Sequence, residues 1–226
     1  MRYPPGMSLL KGLLDLIFPE VCRVCGADPA RWSPYLCPDC EAEIWRPGMR
    51  FGECADIPFV TWIGWLGPYQ GAVRTAVHAM KFGRQRAFAR HLGWMLARRM
   101  PHQAPRPDLI VPIPLSRQAF SKRGFNQAEE LALGMADALG VAARPGLLRR
   151  RVTGRPQRSL PLAERVANVR DCFELGAATL LRNRRVALVD DVATTGATMA
   201  AAARLLRCAG AAEVSAYVVA RTEKRC

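Results

Sequence analysis

Val186-Ala-Leu-Val-Asp-Asp-Val-Ala-Thr-Thr-Gly-Ala-Thr198 is the stretch that decides the fold of this chain. Arg185–Val189 reads as a buried strand, and it ends on two adjacent carboxylates, Asp190 and Asp191. A short hydroxyl-rich turn follows, then a helix expected to run through Cys208 and to stop at Gly210. Val214–Ala220 is a second apolar run of strand length. Strand, turn, helix and strand at this spacing form a βαβ unit, which requires a parallel sheet. Ligands of such sheets bind at the carboxyl ends of the strands, where the two acids fall. The backbone N–H groups that open the helix, with the hydroxyls of Thr194, Thr195 and Thr198, make a phosphate cradle. Gly196 lets the backbone come close to the phosphate. A sugar phosphate satisfies both halves, its hydroxyls on the acids and its phosphate in the turn. A plain strand end followed by a Thr194 helix cap is the blander alternative.

Outward from this unit, Val73, Ala76, Val77 and Met80 recur at helical spacing, as do Phe88, Leu92, Met95 and Leu96, so two amphipathic helices are expected. Lys81 reads as the C-terminal dipole partner of the first. Asp108-Leu-Ile-Val111 is a short buried strand halted by Pro112 and Pro114. Asn126–Leu139 is a helix capped by Asn126 and stopped at Gly140. Residues 151–160 read as an exposed basic loop and Pro161–Val169 as a short helix. His78, His91 and His102 show no partner pattern.

Residues 19–56 are rich in Pro, Cys and Trp and carry no sustained period. Within them Cys22-x-x-Cys25 and Cys37-x-x-Cys40 aim four thiolates at one point, the ligand set of a closed, structural Zn²⁺. Four thiolates leave no open position for catalysis, and the surroundings are unlike those of a redox dithiol. Cys54, Cys172, Cys208 and Cys226 are scattered, and no disulfide framework is indicated. The reading divides the chain into residues 1–56, an N-terminal helix (from the Ser8–Phe18 stretch) with a zinc ribbon, and residues 57–226, an α/β domain.

Charge follows the same division: residues 1–56 carry a net of −2 and residues 57–226 a net of +16, within the overall +14. No acid stands between Asp56 and Asp108, and a second acid-free stretch holds Arg144, Arg149, Arg150, Arg151, Arg155 and Arg158. Such a field suits a polyanion, either a sugar polyphosphate or single-stranded DNA, though solvated helix faces explain it as well. No apolar run approaches the roughly 20 residues of a membrane span, so no membrane is expected and the chain is assigned to the cytoplasm.

The segment around Asp190 closely resembles the signature with which type I phosphoribosyltransferases bind 5-phosphoribosyl-1-pyrophosphate (PRPP). The resemblance implies that Asp190 and Asp191 hold the ribose 2′- and 3′-hydroxyls. It implies that Thr194, Thr195, Gly196, Ala197 and Thr198 hold the 5′-phosphate, with Mg²⁺ bound alongside. Purine-salvage members carry an aspartate general base where this chain has Thr194, which argues against a hypoxanthine/guanine enzyme.

Further segments are similar to the ComF/GntX group of competence-related proteins, a zinc ribbon followed by a phosphoribosyltransferase domain. They are the cysteine pairs, Met80-Lys-Phe-Gly83, Val111-Pro-Ile-Pro-Leu-Ser116, Lys122-Arg-Gly-Phe-Asn-Gln127, and Pro156-Gln157 with Arg165 and Asn168. In type I enzymes the loop after the corresponding strand binds pyrophosphate, which points to Ser116 and Arg117. Lys122 and Arg123, beside the hinge-capable Gly124, suit a mobile cover over the polyphosphate. Phe125, a bulky apolar residue in that basic loop, needs something to pack on. Asp190, Asp191 and Arg123 are thus the candidate catalytic residues of a phosphoribosyl transfer that releases pyrophosphate to an unidentified acceptor. Two other uses remain open, a PRPP or nucleotide sensor without turnover, and a DNA-uptake adaptor that binds single-stranded DNA and docks a competence helicase through its ribbon.

Overall fold

In the computed structural model, which describes residues 21–30, 33–45, 51–83, 85–151 and 172–222, the sheet is built around the stretch quoted above. The element order is α1 (Pro38–Trp45), β1 (Phe51–Glu53), β2 (Trp62–Pro68), α2 (Gly71–Phe82), α3 (Arg86–Arg98) and β3 (Leu109–Pro112). It continues with α4 (Arg117–Arg123), α5 (Gln127–Leu139), β4 (Ala142–Ala143), β5 (Leu148–Arg150), β6 (Phe173–Leu175), β7 (Arg185–Ala193), α6 (Ala197–Cys208) and β8 (Glu213–Arg221). Among the described residues, six strands form one sheet in the order β1-β2-β8-β7-β3-β4, and β5 and β6 form a separate antiparallel pair. All neighbours in the large sheet are parallel except β1 and β2. This is the type I phosphoribosyltransferase architecture expected from the sequence.

Alternation along β7 explains why the sheet is covered on both faces. Ala187 and Val189 join the apolar layer formed with α2, α3 and α5, whereas Val186 and Leu188 join the layer formed with α6. A parallel sheet buried on both sides needs such a doubly apolar strand. The strand is longer than its apolar run: it continues to Ala193, so Asp190 lies inside the ladder opposite Val218.

Asn126 caps α5 by accepting from the Ala128 N–H at 3.1 Å, and Gly140 ends it at φ +66°, as its sequence position indicates. The stretch 19–56, which carries no sustained period, forms α1 and β1, both too short to show one. Two expectations need correction. The 117–123 segment is a helix, capped by the Ser116 hydroxyl and closed by Gly124 at φ +77°, where an open loop was expected. Phe125 is buried in the core, with the Arg86 guanidinium over its ring at 5.4 Å, so its packing partner is the protein itself. The expected N-terminal helix, the 152–160 loop and the 161–169 helix lie outside the described residues.

Candidate functional site: paired acids and converging cations

The end of β7 and the start of α6 bring Asp190 together with Thr194, Thr195, Gly196, Ala197 and Thr198 around a hollow of about 30 Å³. Gly196 rather than Thr194 is the N-cap, at φ +75°. Thr195 Oγ1 accepts from the Ala197 N–H at 3.3 Å. A Cβ on Gly196 would come within 2.7 Å of Ile57, so glycine is required there twice, by conformation and by space. Asp190 Oδ1 accepts from the Asp191 N–H at 2.8 Å, which fixes one carboxylate against the backbone of the other. Burial and the adjacent Asp191 carboxylate push Asp190 up to about 7, against the pull of the Asp191 amide, Lys81 and Arg150.

Asp191 is buried and ion-paired twice, to Lys81 Nζ at 3.0 Å and to Arg123 Nη1 at 3.6 Å. Lys81 therefore does more than complement the C-terminus of α2. It carries its ammonium from the helix end to the acid, and both side chains are under one-fifth exposed. Arg123 is held on a second side by Gln127 Oε1 at 2.9 Å. Arg150 joins from the β5–β6 pair, donating to the Pro114 carbonyl at 2.9 Å with its guanidinium over Phe173 at 5.1 Å. Lys81 and Arg123, from two separate elements, thus pair with Asp191, and the Arg150 charge acts on Asp190 from a third. Sequence reading left out Lys81 and Arg150 because neither carries a local signal of its partner. The Met80-Lys-Phe-Gly83 segment was the one hint for Lys81.

The four residues expected at pyrophosphate part company. Arg123 faces Asp191, whereas Arg117 lines a different cleft on the far side of α4. Ser116 is engaged as the α4 cap, accepting from Ala119 N–H at 3.2 Å, and Lys122 is exposed and lines neither hollow. Much of the first basic stretch is structural: Arg90 pairs with Asp137, Arg86 with Glu130, and Arg99 and Arg106 donate to the Trp45 and Leu139 carbonyls.

Cys22, Cys25, Cys37 and Cys40 bring their sulfurs within 4.8 Å of one another. The Cys40 N–H donates to Cys37 Sγ at 3.4 Å, and Gly26 turns the first pair at φ +80°. Burial pushes the Cys22 thiol up, but the backbone N–H groups of Cys25, Cys37 and Val24 bring it down to about 6. A mutually close tetrad of four cysteine sulfurs fits a structural Zn²⁺. Cys54 stands apart, with its thiol 3.6 Å from Asp56 Oδ1.

A parallel sheet with paired acids at a strand end and a hydroxyl-lined turn beyond them defines a phosphoribosyltransferase-type domain, and the family model described as "Phosphoribosyl transferase domain" matches residues 128–225. Relatives match over most of the chain. The "DNA utilization protein YhgH" of Salmonella typhi is 32% identical over 96% of this chain and 98% of its own length. "Competence protein F" of Haemophilus influenzae is 31% identical over 93% of this chain and 94% of its own. The chain belongs to the ComF family of competence-related proteins. Among solved structures, a glutamine phosphoribosylpyrophosphate amidotransferase from B. subtilis matches at 25% identity and a TM-score of 0.43, over 60% of this chain and 26% of that one.

Proposed function

We propose that this protein binds PRPP with Mg²⁺ and transfers its phosphoribosyl group in the cytoplasm, in the service of DNA handling. The observation that carries the reading is the junction of Asp190 and Asp191 with the Thr194–Thr198 hollow, ringed by Lys81, Arg123 and Arg150. Ribose hydroxyls donate to the two carboxylates while the 5′-phosphate accepts from the Thr195 hydroxyl and the first amides of α6. Asp190 and Asp191 would hold Mg²⁺ together with ligand oxygens, and the ion would neutralise the polyphosphate charge. The C1–oxygen bond breaks with its electron pair leaving on pyrophosphate, and a lone pair of the acceptor forms the new bond to C1. Arg123 and Lys81 stand where they oppose the charge that builds on the leaving group. The names of the relatives, a DNA utilization protein and a competence protein, favour DNA as the context of this chemistry.

Titration calorimetry with PRPP and Mg²⁺ tests the reading. Losing one charged hydrogen bond costs about 1.5–3 kcal/mol, roughly ten- to hundredfold in affinity. Asp190→Ala and Asp191→Ala should each weaken PRPP binding by that factor. Equal affinity in the wild type and the double variant would remove PRPP as the ligand. A screen for pyrophosphate release over candidate acceptors then separates transfer from sensing.

A further inference from the structure

From the second cleft we infer a nucleotide site, separate from the carboxylate hollow and open while that hollow is filled. The cleft lies between α4 and the β5–β6 pair and measures about 490 Å³, within the range of small-ligand pockets. The α4 helix divides the two sites. Arg117, Phe120 and Ser121, at i, i+3 and i+4, line the cleft, while Arg123 points to Asp191 on the other side.

The walls of the cleft supply the groups that a nucleotide needs. Arg117, Arg149 and Arg150 bring three guanidiniums to it, and none has an ion-pair partner among the described residues. Guanidinium forks match phosphate oxygens in pairs. Arg150 is pre-set by Pro114 and Phe173, and Arg149 donates to the Gly146 carbonyl at 3.1 Å. Phe120 is 51% exposed, a large apolar ring open to water at the mouth of a charged cleft. A base stacked on it would cover that ring, as aromatic side chains do in single-strand binding proteins. Glu129 is the cleft's carboxylate. It repels phosphate and accepts from an amino group, so it orients the base away from the arginines. Asn126 is already committed, to the Ala128 N–H and the Ile113 carbonyl, and adds rigidity instead of recognition.

The ligand class is therefore a phosphate attached to an amino-bearing base, supplied as a free mononucleotide or as the end of a strand. Arg150 is shared by the two sites, so the occupant would lie beside the reacting end of the first.

The test is calorimetry on the full chain at low ionic strength, with AMP and CMP as probes, with and without saturating PRPP and Mg²⁺. One mononucleotide should bind per chain whether or not PRPP is present. Phe120→Ala and Arg149→Ser should each weaken it by roughly tenfold, and Phe120→Trp should preserve it. Both positions are exposed, so the variants keep their fold. A 5′-phosphorylated oligonucleotide that displaces AMP identifies a strand as the source, and failure to displace it identifies the free nucleotide. Silence from AMP and CMP, or their complete displacement by PRPP, would overturn the second site. The Asp191 variant tests the PRPP reading separately: Asp191 pairs with Lys81 and Arg123, neither of which lines the cleft, so Asp191→Ala should leave AMP affinity unchanged.

Discussion

Asp190 has a sign that can be checked without any ligand. Its folded value near 7 lies above the ordinary value of 3.8. The folded chain therefore holds more of this proton than the unfolded chain between those limits. Stability falls as pH rises through that window, because the unfolded state releases its proton first. Asparagine at 190 can still accept from the Asp191 N–H but carries no charge at any pH. Asp190→Asn should match the wild type in thermal unfolding at pH 5 and exceed it at pH 8. A wild type that is the more stable of the two at pH 8 would refute the burial argument. Lys81 has the opposite character, since its value lies in its charge. Lys81→Met leaves Asp191 with only the longer Arg123 contact, and should cost about 1–3 kcal/mol of stability. Lys81→Arg should recover most of that loss. Denaturant titration of the three proteins decides whether this lysine belongs to the site or merely to the end of its helix.

At the level of elements, the crossing of α3 and α5 sets how closely the helices lie on the sheet. A Cβ on Gly93 would fall 2.0 Å from the Leu131 carbonyl oxygen, and one on Gly134 would fall 1.9 Å from that of Arg90. Each glycine faces the backbone of the other helix, and no side chain can move aside. Gly134→Ala should therefore cost at least the 1–3 kcal/mol typical of overpacking. Gly52→Ala, on β1 with nothing within 4 Å of its added Cβ, is the control and should be near neutral. Comparable losses in both would show that the helix crossing yields more easily than its geometry indicates. No local pattern in the sequence marks this crossing, since Gly93 and Gly134 belong to two helices that meet only in the fold. The apolar stripes of α2 and α3 were legible, because twelve- and thirteen-residue helices repeat their pattern several times. The seven residues of α4 do not: with two cations at its end and Gly124 beyond, it reads as a loop. The residues of the β7–α6 turn were legible, since acids, hydroxyls and glycine there are neighbours in sequence, but the strand end at Ala193 and the Gly196 cap were not. Lys81 and Arg150 reach the same acids from 110 and 40 residues away along the chain, and no local pattern carries that distance.

Across the whole molecule, the cysteine cluster and the sheet share one apolar core. Cys22, Leu36, Cys37, Cys40 and Ile44 pack in the same cluster as Leu92, Val189 and Tyr217. The contacts continue at the helix ends. Glu43 on α1 accepts from the Ala72 N–H at 2.9 Å, near the start of α2. Arg99, at the end of α3, donates to the Trp45 carbonyl and lies 3.5 Å over the Trp45 ring. The boundary proposed at residue 56 is accordingly a division of role, and the two parts should unfold together. If Cys37→Ser releases Zn²⁺ and loosens α1, the Ala72 cap and the Arg99–Trp45 contact go with it. Those two together are worth about 2 kcal/mol, which lowers Tm by about 4–8 °C for a chain of this size. Calorimetric unfolding should show one transition in both proteins, displaced downward in the variant, with metal content measured on the same samples. A metal-free Cys37→Ser protein that kept the wild-type Tm would show that the ribbon contributes nothing to the rest of the fold. Two separated transitions in the wild type would make residues 1–56 an independent unit, and α2 and α3 would then not depend on α1 for their ends.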